Sequence, residues 1–199
     1  DNTRSRGLGD VYKRQDIGAE VTDEIPDFAG VLQAFQTLRA VLFATMMEPI
    51  LKQHRDKIAP EIIGNIERGL NIMPSQIFEA ERVRIELFKK ILAFFETHDF
   101  LICPAASIAP FSVDQRYVTE IDGKPCETYI DWFSITFALT MTSCPTISVP
   151  CGFTSEGLPV GIQIMGKPRG EAALLLVAKQ FEQAIGIAAQ LPIAPRKGI

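Results

Sequence analysis

The stretch CPTISVPCGFTSEGLPVGIQIM, residues 144 to 165, decides how this chain folds. Thr146 to Pro150 alternates, with Ile147 and Val149 set against Thr146 and Ser148. Val160 to Met165 alternates again, with Val160, Ile162 and Ile164 set against Gly161, Gln163 and Met165. A period of two marks a strand whose faces meet different surroundings. Ser155-Glu156-Gly157 between the runs carries turn chemistry, so the two predict an antiparallel pair.

Working outward, Glu171 to Ile185 predicts a helix that packs through Leu174, Val177, Phe181 and Ile185 and ends at Gly186. Upstream, Asp99 to Pro104 (DFLICP) predicts a buried strand stopped by its proline. Ala105 to Thr128 has little periodicity and a turn at Asp122-Gly123-Lys124-Pro125, and a loop of that length in a compact domain usually serves function. A helix is predicted from about Tyr129 to Thr142. Further back, Asp27 is placed to cap a helix from about Phe28 to Met47, striped by Val31, Phe35, Leu38, Leu42 and Phe43 and closed by Pro49. A weaker helix covers Pro60 to Leu70. The helix opened by Ser75 has two neighbouring apolar stripes: Phe78, Ile85, Phe88, Leu92 and Phe95, and Ala80, Val83, Leu87, Ile91 and Phe94. Together they predict an apolar face wider than a coiled-coil seam. Ile17 to Val21 is a candidate strand. Helices interleaved with strands predict an α/β fold, a mixed β-sheet flanked by helices.

Composition fits that class. The 199 residues are 47% hydrophobic and 22% charged, with 20 Lys plus Arg against 24 Asp plus Glu and a formal net charge of -4. No basic run offers nucleic acid or an anionic membrane a partner surface. No apolar stretch approaches the ~20 residues that span a bilayer, and a cytoplasmic protein is the simplest reading. Residues 1 to 15, DNTRSRGLGDVYKRQ, read as a foreign or disordered leader, and residues 192 to 199 read as a tail.

Nothing in the composition names a reaction. Of two histidines, His54 sits in a polar helix end, and His98 lies five residues before Cys103 in the one Cys/His pairing the chain offers. A thiol leaving a buried strand has nothing to lower its pKa. The cysteines 103, 126, 144 and 151 read as reduced and mostly buried. No phosphate loop, nucleophile elbow or metal-ligand spacing occurs, so neither a metal nor a cofactor is expected.

Residues 144 to 165 nevertheless resemble the C-terminal signature of the amidase signature family, a Pro-x-x-x-Val-Pro-x-Gly strand followed by a Gly-Leu-Pro-Val-Gly-x-Gln strand. The matching residues are Pro145, Val149, Pro150, Gly152, Gly157, Leu158, Pro159, Val160, Gly161 and Gln163. Glu171, Leu174, Leu175 and Glu182 fit the family's closing helix, and DIGAEVTDEIPDF is similar to its Gly-Ala-x-Val segment. The resemblance runs from residue 16 to about residue 191. It implies the C-terminal portion of an amidase domain, an incomplete domain whose Ser-Ser-Lys triad belongs to the N-terminal half. This sequence has no Ser-Ser dipeptide, so the resemblance assigns no catalytic residue here and implies a chain inactive by itself.

The resemblance further implies a small-molecule amide as partner, with a homodimer as one assembly to consider. Thr140 and Ser143 stand where many members have Asn and Gly. That weakens the alternative of a glutamine-hydrolysing subunit of a tRNA-dependent amidotransferase and favours a stand-alone amidase. A third reading is a non-catalytic interaction module presenting the wide apolar helix. For the substrate pocket the candidates are Trp132, the only tryptophan, Tyr117 and Arg116 in the long loop, and Gln163 on the polar face of its strand.

Overall fold

The computed structural model describes residues 18–186. The proposed leader over residues 1 to 15, the tail over 192 to 199 and Ile17 lie outside them. In chain order the elements are α1 (Val31–His54), α2 (Pro60–Leu70), α3 (Pro74–Thr97), β1 (Phe100–Pro104), β2 (Glu120–Ile121), β3 (Lys124–Pro125), α4 (Ser134–Thr140), β4 (Thr146–Phe153), β5 (Pro159–Gly166) and α5 (Glu171–Ile185). Single 3-10 turns occupy Arg55–Lys57 and Asp131–Phe133. The α/β class expected from the sequence is the one observed. The candidate strand near the start does not form over residues 18–21.

The chain divides into two compact units. Among the described residues the first comprises 18–25, 98–113 and 144–186. Its sheet has the order β1-β5-β4, and both pairings are antiparallel. The register pairs Ile102 with Ile164 and Ile147 with Ile164, so apolar residues align across all three strands. Val149, Cys151, Ile162 and Ile164 meet Leu174, Ala178 and Phe181 of α5 in one core, with Val177 and Ile185 packed at its margin. Burying such side chains contributes roughly 1.5–3 kcal/mol each. The Gly186 N–H closes α5 on the Glu182 carbonyl at 3.0 Å.

The turn between β4 and β5 is built by Thr154, whose hydroxyl accepts the backbone N–H groups of Glu156 and Leu158 at 3.2 and 3.1 Å. Gly157 there has φ 81°, a left-handed conformation that glycine adopts without steric penalty. The strand runs beyond Pro150, where the alternating stretch read from the sequence stops. Register shifts between Pro150 and Gly152, making Cys151 a bulge residue, and β4 continues to Phe153. Proline is tolerated on outer strands and beside bulges, and β4 has both properties here.

The second unit comprises Pro26–Thr97 and Asp114–Ser143. Helix α1 starts at Val31, and Asp27 accepts the Ala29 N–H at 2.9 Å ahead of it instead of capping at Phe28. It also runs through Pro49 to His54, because Leu51 beyond the proline is buried and packing holds the last turn. The buried residues of α1 are mostly small, among them Ala34, Thr37, Ala40 and Ala44, while Leu42 is 54% exposed. Small residues let α2 approach closely, with Gly69 lying against Ala40.

On α3 the Gln76 side chain accepts the Met73 N–H at 2.9 Å, half of a capping box, in place of the expected Ser75 cap. The second stripe of α3 is the covered one: Ala80, Leu87 and Ile91 are buried, joined only by Phe95 of the first, whose Phe78, Ile85, Phe88 and Leu92 are exposed. Within this unit α1 is the helix that packs against α3, and one helix covers about one stripe. The predicted helix over Tyr129 to Thr142 is a 3-10 turn followed by the shorter α4.

Candidate functional site

One face of α1 carries Gln36, Arg39 and Phe43 at three- and four-residue steps, and the segment from Thr128 to Phe137 is fastened to this helix. Gln36, 5% exposed, donates from Nε2 to Thr128 Oγ1 at 3.0 Å and to Asp131 Oδ1 at 3.3 Å. Asp131 in turn accepts the Thr128 backbone N–H at 2.8 Å and its hydroxyl. A buried amide must be hydrogen-bonded, and this knot meets that need while fixing the entry to the Asp131–Phe133 turn. One helical step away, the Arg39 guanidinium lies 4.5 Å from the Phe43 ring centroid and 5.3 Å from that of Tyr129, and donates to the Tyr129 hydroxyl.

Aromatic rings extend the cluster. Tyr117 meets Tyr129 edge-on at 6.3 Å, Phe35 stacks on Phe137 at 4.1 Å, and Phe133 meets Phe137 edge-on at 6.1 Å. Trp132 donates its indole N–H to the Tyr129 carbonyl at 3.1 Å and sets its ring edge-on to Phe133 at 4.9 Å. The structure thus places Trp132 and Tyr117 in one cluster around Tyr129. Arg116 stands apart from it in an ion pair with Glu61 of α2 at 2.9 Å, its side chain largely exposed.

Gln163 belongs to the other unit. It is 5% exposed, and its Nε2 donates to the Pro104 carbonyl at 3.0 Å, tying β5 to the end of β1. Beside it, burial pushes the Cys103 thiol up to about 11, so it stays protonated at neutral pH. His98 lies with Nε2 3.1 Å from Thr22 Oγ1 and 3.3 Å from Glu24 Oε2. Among the described residues no three or more His, Cys, Asp or Glu side chains gather as a metal would require. A cleft of about 230 Å³ lies elsewhere in the second unit, lined by Asp27, Glu79, Arg82, Glu86 and Lys90. Its charges are already matched by Lys90 with Asp27 at 2.6 Å and Arg82 with Glu79 at 2.7 Å. The paired lysine and the Ala29 N–H hold the Asp27 carboxyl below its ordinary range.

Gln36, Arg39 and Tyr129 join the cluster although none is a pocket candidate on sequence grounds, and Asp131, which reads in the sequence as a turn former more than a substrate ligand, joins it as well. A signal exists for the first two: polar residues three apart among the apolar residues of the helix's first half.

The family model for amidases matches residues 18–175. The chain belongs to the amidase signature family. Among its relatives, a glutamyl-tRNA(Gln) amidotransferase subunit of Alkaliphilus metalliredigens is 27% identical over 87% of this chain and 35% of that protein. The same-named protein of Thermodesulfovibrio yellowstonii is 32% identical over 70% of this chain and 28% of that protein. This amidase-family chain therefore spans about a third of the length of these relatives. In fold it is similar to a solved amidase, with TM-score 0.83 and 19% identity over 93% of this chain and 42% of the other. It is also similar to a bacterial aryl acylamidase, with TM-score 0.70 and 22% identity over 84% and 37%. The β4–β5 pair and α5, which carry the family resemblance in the sequence, are formed as that resemblance implies.

Proposed function

We propose that this chain is the C-terminal portion of a stand-alone amidase that hydrolyses a carboxamide to a carboxylate and ammonia or an amine. The observation that carries the reading is the family match over residues 18–175 in a sequence with no Ser-Ser dipeptide. In the proposed chemistry, sequence upstream of residue 16 supplies a lysine that acts through a bridging serine on a nucleophilic serine, and water then releases the acyl group. Backbone amides of the Ser-rich loop stabilise the oxyanion. This chain contributes strands, outer helices and a pocket wall, for which Trp132, Tyr117 and Arg116 of the second unit are the proposed substrate-facing residues, while Gln163 of the first unit is proposed to hold the strands beneath a substrate rather than to face it. The proposed setting is the cytoplasm, and among the described residues no helix is long and apolar enough to cross a membrane.

The names of the relatives favour a second reading, a glutamine-hydrolysing subunit working with partners. Thr140 and Ser143 weigh against it. Expressing the longer reading frame distinguishes them. Amide hydrolysis by the extended protein alone, abolished by replacing the upstream lysine and absent from the 199-residue chain, supports the amidase. Glutaminase activity that requires a second protein chain supports the alternative. An upstream frame without a Ser-rich loop and lysine, or turnover by this chain unaided, overturns the reading.

A further inference from the structure

Arg39 is a cation with no counter-ion among the described residues, held by an aromatic cluster. Among the described residues no carboxylate lies within ion-pair distance of it, and its one hydrogen bond is to the Tyr129 hydroxyl. Asp131, in the segment that meets the same helix face, turns its oxygens to Thr128 and Gln36. A guanidinium has five N–H donors in a rigid plane, so most of those on Arg39 have no protein acceptor here. Four other arginines of the same unit, Arg55, Arg82, Arg84 and Arg116, each pair with a glutamate at 2.7–2.9 Å although they are more exposed, while Arg68, also exposed, reaches solvent directly.

The surroundings also restrict how Arg39 can be used. The guanidinium carbon lies over the Phe43 and Tyr129 rings at 4.5 and 5.3 Å and Nη2 donates to the Tyr129 hydroxyl, which leaves Nε and Nη1 to donate to other partners. Guanidinium N–H edges match a carboxylate in a bidentate geometry. Tyr129 is itself held by the Tyr117 ring and by the Trp132 indole, which donates to its carbonyl, so the donor is fixed before any ligand arrives.

From these observations we infer that Arg39, framed by Phe43, Tyr117 and Tyr129, is a carboxylate-recognition residue, and that the amide substrate carries a carboxylate. The inference rests on the amidase reading and names its substrate class. A carboxylate could reach Arg39 from two sources: a small molecule, to which the inference commits, or an acidic side chain in sequence beyond the described residues.

Trp132, the sole tryptophan, gives a reporter that needs no turnover. The 199-residue chain is titrated with hexanoate and with hexanamide, and indole emission is followed. Saturable binding of hexanoate at least tenfold tighter than hexanamide is expected, lost in Arg39→Gln and partly kept in Arg39→Lys. Circular dichroism checks that each variant is folded, and the lysine variant keeps charge and stem if the glutamine variant fails to fold. Equal binding of the two probes, or unchanged hexanoate affinity in a folded Arg39→Gln, overturns the inference. So does an extended protein in which Arg39→Gln lowers thermal stability without altering hexanoate affinity, since that assigns Arg39 to an internal ion pair. Failure of the extended protein to hydrolyse any amide would fall on the amidase reading alone, because the titration measures binding independently of chemistry.

Discussion

Ser143 holds a left-handed backbone, φ 58°, at an exposed position. A serine held in that conformation, where glycine fits without penalty, costs roughly 1 kcal/mol. Ser143→Gly relieves that strain but frees the unfolded chain. A gain of up to about 1 kcal/mol is expected in urea denaturation. Ser143→Val should lose more than this, since a β-branched residue at positive φ is a steric outlier. The reverse order would mean the backbone there relaxes easily. At the same scale the pocket candidates are half legible. Trp132 and Tyr117 stand out in any sequence as large amphipathic side chains, and both join the Tyr129 cluster. Arg116 looks equivalent in the sequence but pairs with Glu61, a partner 55 residues away that no local pattern announces.

The helices show what local periodicity controls and what packing overrides. Proline in a helix removes one backbone hydrogen bond, yet α1 continues past Pro49 because Leu51 is buried beyond it. The α1–α2 pair depends on a closer tolerance. A Cβ at Gly69 would stand 2.0 Å from the Ala40 carbonyl oxygen and 2.8 Å from the Ala44 Cβ, so no rotamer change can accommodate it. Gly69→Ala is expected to destabilise the chain by about 3 kcal/mol, the upper range for overpacking, despite alanine's better helix propensity. Gly64 on the same helix has nothing within 4 Å of its built Cβ. Gly64→Ala should therefore stabilise by up to about 1 kcal/mol. Thermal melts of the two variants separate backbone contact from helix propensity, and similar shifts in both would rule out the contact.

Over the whole molecule, apolar side chains remain uncovered in ordered helices. Phe78, Ile85, Phe88 and Leu92 follow one line of α3, and Leu42, Met46 and Ile50 follow one line of α1. Contiguous exposed apolar surface of this kind marks contact sites or aggregation hazards. The 199-residue chain is expected to bind a hydrophobic dye and to self-associate as concentration rises. Ile85→Lys with Leu92→Lys should reduce both effects while leaving the circular dichroism spectrum unchanged. A monomeric chain with no dye response would contradict the exposure of these lines.

The sequence alone determined the β4–β5 pair, its glycine turn and α5, because period-two alternation, a residue able to take positive φ and a 3.6-residue stripe act within a few residues of one another. It also placed the chain in its family, through prolines and glycines punctuating those same elements. The tertiary structure decided which stripe of α3 is covered and which polar residues of α1 join the aromatic cluster. Gln36 meets Thr128 across 92 residues of chain. Contacts of that separation are selected by how helices pack, and packing depends on side-chain volume and surroundings that no short window of sequence contains.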